Sequence, residues 1–458
     1  MQSTPKLMSR RNTMRDVFFL LIFPMILYFC FKKPFIGISM WLWVALFFPK
    51  AWVYGFASGI RYNLIIVGAA IISYLVMKEK QKNQWDSLSW AVVCFLVWTF
   101  FTSLFTISIP EVVWTEWVEF FKICLLYFFA VAILRTETHI NTMIWAVVFS
   151  LGFYSVVEGL KYISSGGGHV LAGMPSHVLG DRNDLAVGII VMIPLVVYLL
   201  SVTQHKILKA GLTLVLIMAV VCVLGSGSRG GFIGITIVAG YFWFHSKHKF
   251  IYLLVVPLIA YVGLEYMPAS WHERMSTIEN ADQDMSFLGR IMAWKQAILM
   301  AMDNITGGGF KAGQMNAIWF QYDPQHNLNW LFDTSTVYFD GAKAAHSIYF
   351  QVLGDHGFLG LFLFLLIIYL AFSQAKQTAK MLKAHPVSPS MVKLSSMIRV
   401  SLVAYVVAGA AVSLAYFDLL FALFAISHVM SNIIKREVTA QQTLASNANS
   451  QFAREGSG

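Results

Sequence analysis

Charge is scarce in this chain. Only 12% of its 458 residues are Asp, Glu, Lys or Arg, against 58% that are hydrophobic, and a soluble fold could not hide that much apolar surface. Cysteine is nearly absent. Cys30, Cys94, Cys124 and Cys222 all fall inside apolar segments with no CxxC pair, so neither a disulfide framework nor a metal knuckle is implied, and no metal is expected. The alternation of barrel strands is missing too: the apolar runs are unbroken, which leaves helices as the spanning element. There is no basic stripe either. The formal net charge of +10 is spread through short loops, so it reads as a topology signal and no nucleic-acid partner is expected. Finally, no internal repeat is evident, which counts against a transporter built from duplicated halves.

What is present is a series of apolar segments, most approaching the ~20 residues that a crossing needs. The fold class is therefore an all-α polytopic membrane protein embedded among membrane lipids, with about twelve transmembrane helices. Basic clusters at Lys78, Lys80 and Lys82, at Lys206 and Lys209, at Lys247 and Lys249, at Lys376, Lys380 and Lys383, and at Lys435 and Arg436 mark the cytoplasmic side. Loops 161–183, 225–230 and 267–345 then share the far side. The short segments 17–31 and 35–48, parted by Lys32, Lys33 and Pro34, are read as one broken or re-entrant crossing, with both termini inside. Thirteen spans with an outside N-terminus is the alternative. The chain divides into helices 1–10 with short loops (1–266), a large outer loop (267–345), C-terminal transmembrane helices (346–435) and a disordered cytoplasmic tail (436–458). Within the loop, apolar spacing over 284–302 predicts an amphipathic helix on or near the membrane, with Ser286 as N-cap and Gly307, Gly308 and Gly309 as its stop.

Few residues could do chemistry. Arg229 lies in a Gly/Ser turn, GSGSRGG, between two apolar segments, where glycines let a ligand approach the backbone and guanidinium suits bidentate phosphate binding. Snorkelling to lipid headgroups is the other use for such an arginine. Arg182, in GDRND, could assist, or pair with Asp181 or Asp184. Arg290 on the loop helix could add a third cation, or simply face solvent. His346 is placed on the first turn of a helix, where positive potential should keep the imidazole neutral, the form a general base needs; it too could be structural. His356, further along that segment, has the structural use first. Gly354, Gly357 and Gly360 would let another helix or a lipid chain close to the backbone. Glu119 and Lys122, three apart, could pair on one helix face.

Together the motifs resemble bacterial O-antigen ligases and the wider O-antigen ligase/polymerase superfamily, including the O-glycosylation ligases associated with exosortases. The residues that carry this are MRD at 14–16, SGSRGG at 226–231, GRIMAW at 289–294 with GGGF at 307–310, and HSIYFQVLGDHGFLGL at 346–361. The resemblance implies an inverting, metal-independent glycosyltransferase of lipopolysaccharide biosynthesis, without cofactors. It would sit in the bacterial inner membrane with its active site facing the periplasm. The donor would be a glycan on undecaprenyl pyrophosphate and the acceptor a lipid A core sugar. His346 would be the general base and Arg229 the group that stabilises the leaving pyrophosphate, with Arg182 and Arg290 as further donor-binding cations. A polymerase, a protein O-oligosaccharyltransferase and a lipid-linked glycan transporter are the alternatives.

Overall fold

The computed structural model describes residues 5–78, 80, 85–250, 285–384 and 388–455. It is helical throughout, with no strand among the described residues. The elements in order are α1 (Pro5–Lys32), α2 (Pro34–Phe47), α3 (Gly55–Ser58), α4 (Tyr62–Val76), α5 (Ser87–Leu104), α6 (Pro110–Ile133), α7 (Glu137–Ser164), α8 (Arg182–Val202), α9 (Lys206–Gly225) and α10 (Arg229–His245). Then come α11 (Met285–Asp303), α12 (Asn316–Tyr322), α13 (Ile348–Ala384), α14 (Pro389–Ala408) and α15 (Asp418–Glu455). Start signals are written in the sequence. Prolines open α2, α6 and α14, where the missing N–H is no loss. Side chains of Asp86, Thr136, Asp181, Ser228 and Ser388 cap the first turns of α5, α7, α8, α10 and α14.

Seven of these helices are long and apolar enough to cross a membrane, and three shorter apolar ones accompany them. The chain is thus a polytopic helical membrane protein. Residues 251–266 of the expected segment 250–266, and 267–284 of the large loop, lie outside the described residues. α15 is the centre of the bundle: every residue from Leu419 to Ile426 is fully buried, as a helix apolar on all sides must be. α8 and α13 pack beside α14, and α13 also contacts α15 and α5.

Four expectations are corrected. Segments 17–31 and 35–48 do not make one crossing. α1 and α2 pack against each other and against α4. The Tyr54 amide donates to Asp16 at 2.7 Å at one end of the pair, and the Ser73 hydroxyl to the Phe31 carbonyl at 2.8 Å at the other. The pair is therefore an antiparallel hairpin that returns the chain to the face it left. Lys33 in extended conformation followed by Pro34 makes the reversal. Second, Ser286 is the second residue of α11 rather than its cap. Third, the tail from 436 onward, expected to be disordered, continues α15 as helix to Glu455; its Ala, Gln, Glu and Arg prolong a helix already nucleated in the bundle. Fourth, α13 starts at Ile348, so His346 precedes the helix.

Candidate active site

Three helix N-termini meet at one end of the bundle. α9 ends at Gly225, Gly227 takes φ 61°, and Ser228 caps α10 by accepting from the Gly231 amide at 3.1 Å. Arg229 is the first residue of the new helix and is half-buried. The glycines beside it serve packing more than ligand approach: a Cβ on Gly230 would lie 2.5 Å from the Ala411 methyl, and one on Gly231 would lie 3.3 Å from that of Ala186. Their absence of side chains brings α10 onto the start of α8 and onto the 409–411 turn. Gly409 in turn abuts Ile348, since its Cβ would be 2.8 Å from that side chain. At α8 the Asp181 side chain accepts from the Asn183 amide at 2.7 Å, and Arg182 is the first helical residue.

His346 closes this group. Its backbone sits at φ 43°, in the left-handed region that a side chain rarely adopts, and its amide donates to the Ser413 hydroxyl at 3.0 Å. The ring is half-buried, and its pKa lies below the ordinary histidine value. Burial is the main cause, the Arg290 charge adds to it, and Asp181 opposes it. The direction agrees with a neutral imidazole at rest, whereas the cause is desolvation rather than the helix potential expected from sequence. The same interactions show that Arg290 and Asp181 are within electrostatic reach of His346. Trp294, one turn beyond Arg290 on α11, donates to the Ala345 carbonyl at 2.7 Å and stacks on Phe350 at 4.8 Å. That contact holds α11, and Arg290 with it, beside the histidine. His346, Arg229, Arg182 and Arg290 therefore belong to one end of the molecule.

The GGGF loop has a use that spacing did not show. α11 already ends at Asp303, and Gly307 and Gly309, at φ 66° and 88°, thread the chain against α13. The Gly308 and Gly309 amides donate to the carbonyls of Gly354 and Asp355 at 2.8 and 2.9 Å. α13 makes room by breaking at Gly357, φ 67°. So this close approach to the glycines of α13 is made by a loop; Gly354 additionally faces Ala297 of α11. His356 is fully buried, with Nδ1 2.7 Å from the Thr102 hydroxyl and its ring edge-on to Phe310. It is a packing residue of the loop-to-helix joint.

A second set was legible only in part, as the expected Glu119–Lys122 pair; the place of Lys311 in it was not. Lys311, at φ 59°, is pinned from both ends: its amide donates to Asp355 Oδ1 at 3.1 Å and its ammonium pairs with Glu116. Tyr416 donates to the other Asp355 oxygen at 2.9 Å. Glu119 and Lys122 do pair, at 2.5 Å. Lys311, Glu116, Tyr416, Glu119 and Lys122 help to line a cavity of about 930 Å³, and Asp355 stands behind them. A narrower cleft under α11 shares Lys311, Gln351 and Ser413 with it. Neither His346 nor the three arginines line either space; the link is Ser413, which holds the His346 amide. No short-range signal could have found this wall, because Lys311 and Glu116 stand 195 residues apart.

A polytopic membrane protein with a histidine and several arginines gathered at one end of its bundle is the class that fold and site define. Residues 213–365 match the family model described as O-Antigen ligase, which supports a member of the O-antigen ligase/polymerase superfamily. Residues 14–204 match a family of unknown function, DUF5935. The first match takes in Arg229, Arg290 and His346, while Arg182 falls within the second. No curated protein and no solved structure matches the chain.

Proposed function

We propose that this protein is an O-antigen ligase of the bacterial inner membrane. It moves a polysaccharide from undecaprenyl pyrophosphate to a sugar of the lipid A core, with inversion at the anomeric carbon and without metal or cofactor, at the periplasmic face. The observation that carries this is the convergence of His346 with Arg229, Arg182 and Arg290 where three helices begin, most of it inside the stretch that matches the O-antigen ligase family. Helix N-termini and guanidinium groups together favour an anion there.

The steps follow from those groups. Neutral His346 takes the proton of the acceptor hydroxyl as its oxygen attacks the anomeric carbon from the side opposite the phosphate. The carbon–oxygen bond to the pyrophosphate breaks, and the electron pair leaves with it. Arg229 binds that developing charge, and Arg182 and Arg290 add positive potential. Pyrophosphate is already a good leaving group, so orientation, one base and stationary charge are enough.

The test is glycan transfer by the purified protein in detergent, with undecaprenyl-pyrophosphate-linked glycan as donor and lipid A core offered beside a second donor molecule, with and without chelator. Product on lipid A core that survives chelation is expected. Lengthened donor would make the protein a polymerase. Transfer only when a protein acceptor is added would make it a protein O-oligosaccharyltransferase, and donor carried across a bilayer intact would make it a transporter.

A further inference from the structure

The stretch 165–181, which joins α7 to α8, carries two histidines that the transfer chemistry does not use, His169 and His177. Each fastens it to a different helix, and the two fastenings answer to a proton in opposite ways. At the first, His169 Nε2 lies 2.6 Å from one Glu158 oxygen on α7, while Lys161 holds the other at 2.6 Å. The His169 amide donates to the Ser165 hydroxyl at 2.8 Å. A proton on this imidazole turns a neutral hydrogen bond into a charge-assisted one, so acid strengthens this fastening.

From Gly173 to Gly180 the chain closes on itself. The Gly173 amide donates to the Gly180 carbonyl at 3.1 Å, and a Cβ on Gly173 would lie 1.9 Å from the Leu179 carbonyl oxygen. Leu171 packs against Gly225 and Leu179 against Gly188, which anchors the two sides of this turn to α9 and α8. The tip reaches the end of α2 through His177, whose ring stacks on Phe48 at 5.0 Å; Pro175, Ser176 and Val178 around it are exposed. A carbonyl can only accept, so His177 Nε2 carries the proton it shares with the Ala45 carbonyl at 2.8 Å. An amide can only donate, so Nδ1 is bare where it accepts from Leu179 at 3.4 Å. Both nitrogens are thereby committed to the neutral ring. A second proton, on Nδ1, sets donor against donor and breaks the Leu179 bond.

No titratable side chain lies on α2 itself. The cations that share a cavity with His177 are Lys50, Arg61, Lys122 and Lys311, and the carboxylates are Glu116, Glu119 and Asp418, with the phenols of Tyr62 and Tyr416. Asp181 and Asp184 follow it in the chain. Burial lowers the His177 pKa, and the Ala45 bond opposes this without reversing it. A folded value below the ordinary one means that this fastening is complete above about pH 6.5 and is lost as the pH falls through the lower value.

We infer that residues 173–180 are an acid-released flap on the 930 Å³ cavity. Ser176, His177 and Val178 line it on one side of the seam, Ala45 and Phe48 on the other, and a proton on His177 parts them. The Glu158–His169 pair meanwhile keeps the stem of the flap in place. The flap controls entry to the cavity whatever ligand the cavity takes, so it stands apart from the ligase reading.

The test is hydrogen exchange of the full-length protein in detergent at about pH 7.5 and about pH 5, expressed relative to the intrinsic rate at each pH. On acidification, 174–180 and the facing end of α2, 44–48, are expected to lose protection together, at least tenfold, while 165–170 keeps its own. His177→Gln puts a non-titrating amide nitrogen near the Ala45 carbonyl and should hold the wild-type neutral protection at both pH values. His177→Ala should exchange fast at both, whether or not glutamine reaches Ala45. Protection unchanged by acid, loss in 174–180 without loss in 44–48, opening that begins in 165–170, or a pH dependence that persists in His177→Ala overturns the proposal. So does an equal loss across the fully buried 419–426 stretch of α15, which would report opening of the whole bundle.

Discussion

Replacing His346 by glycine and by alanine separates what the residue does from where its backbone sits. Both variants lose the imidazole, its desolvation and its interactions with Arg290 and Asp181, so these effects cancel between them. The backbone does not cancel. At φ 43° an alanine carries the left-handed penalty of about 1–2 kcal/mol, which glycine does not. Glycine loses more chain entropy on folding, which offsets roughly 0.4–1 kcal/mol of that advantage. The strain term wins, and His346→Gly should be more stable than His346→Ala by on the order of 1 kcal/mol, or about 1–3 °C in unfolding temperature for a chain of this size. Transfer should be lost alike in both, by 10²-fold or more, as expected for removal of a general base. The paired assay is thermal unfolding in detergent and glycan transfer on the same preparations. Alanine as stable as glycine would refute the strain; either variant retaining full transfer would refute the base.

Other expectations follow from particular contacts. Arg229→Ala should lose about 10²-fold in transfer rate, and Arg229→Lys should fail as well because a point charge cannot reproduce the guanidinium fork; full activity in the alanine variant returns Arg229 to a headgroup contact. The pH–rate profile should keep its activity below the usual histidine range, since burial holds His346 neutral there. Arg290→Gln removes a charge that lowers this pKa, so the acid limb should move to higher pH, whereas Asp181→Asn should move it to lower pH while leaving the α8 cap in place. Shifts in the same direction would contradict that electrostatic arrangement. Gly307→Ala places a Cβ 2.6 Å from the Gly357 nitrogen at φ 66° and should cost at least ~2 kcal/mol, read as lower yield and unfolding temperature. His356→Leu fills an apolar surround in which Nε2 has no partner, so transfer should stay within a few-fold of wild type; total loss would give His356 a chemical role.

Much of the architecture was legible. The apolar periodicity of 284–302 predicted α11, and the Gly/Ser turn predicted a helix boundary at Arg229, because capping and amphipathic spacing are local signals. Hydropathy is blind to direction, which is why two apolar segments joined by Lys32, Lys33 and Pro34 could be taken for one crossing when they form a hairpin. Spacing put His346 on a helix because the following pattern is helical; the left-handed kink before Ile348 depends on Ser413, 67 residues away. Arg229, Arg182 and Arg290 could be proposed one at a time, and the lysine clusters put their loops on one side of the membrane, yet nothing in the sequence says which helix starts pack against one another there.

The sequence by itself determined that the chain is a helical membrane protein, since lipid leaves the backbone of an apolar segment no hydrogen-bond partners but its own. It also singled out Arg229 and His346 as candidates for a phosphate-binding cation and a base, because charge and proton affinity are properties of side chains. Only the tertiary structure decided that three helix starts meet around the 409–413 turn, that Lys311 is locked between Asp355 and Glu116, and that their wall encloses a cavity. Those pairings join residues tens to hundreds of positions apart, and they exist because close packing at glycine and alanine contacts lets only some helix ends approach one another.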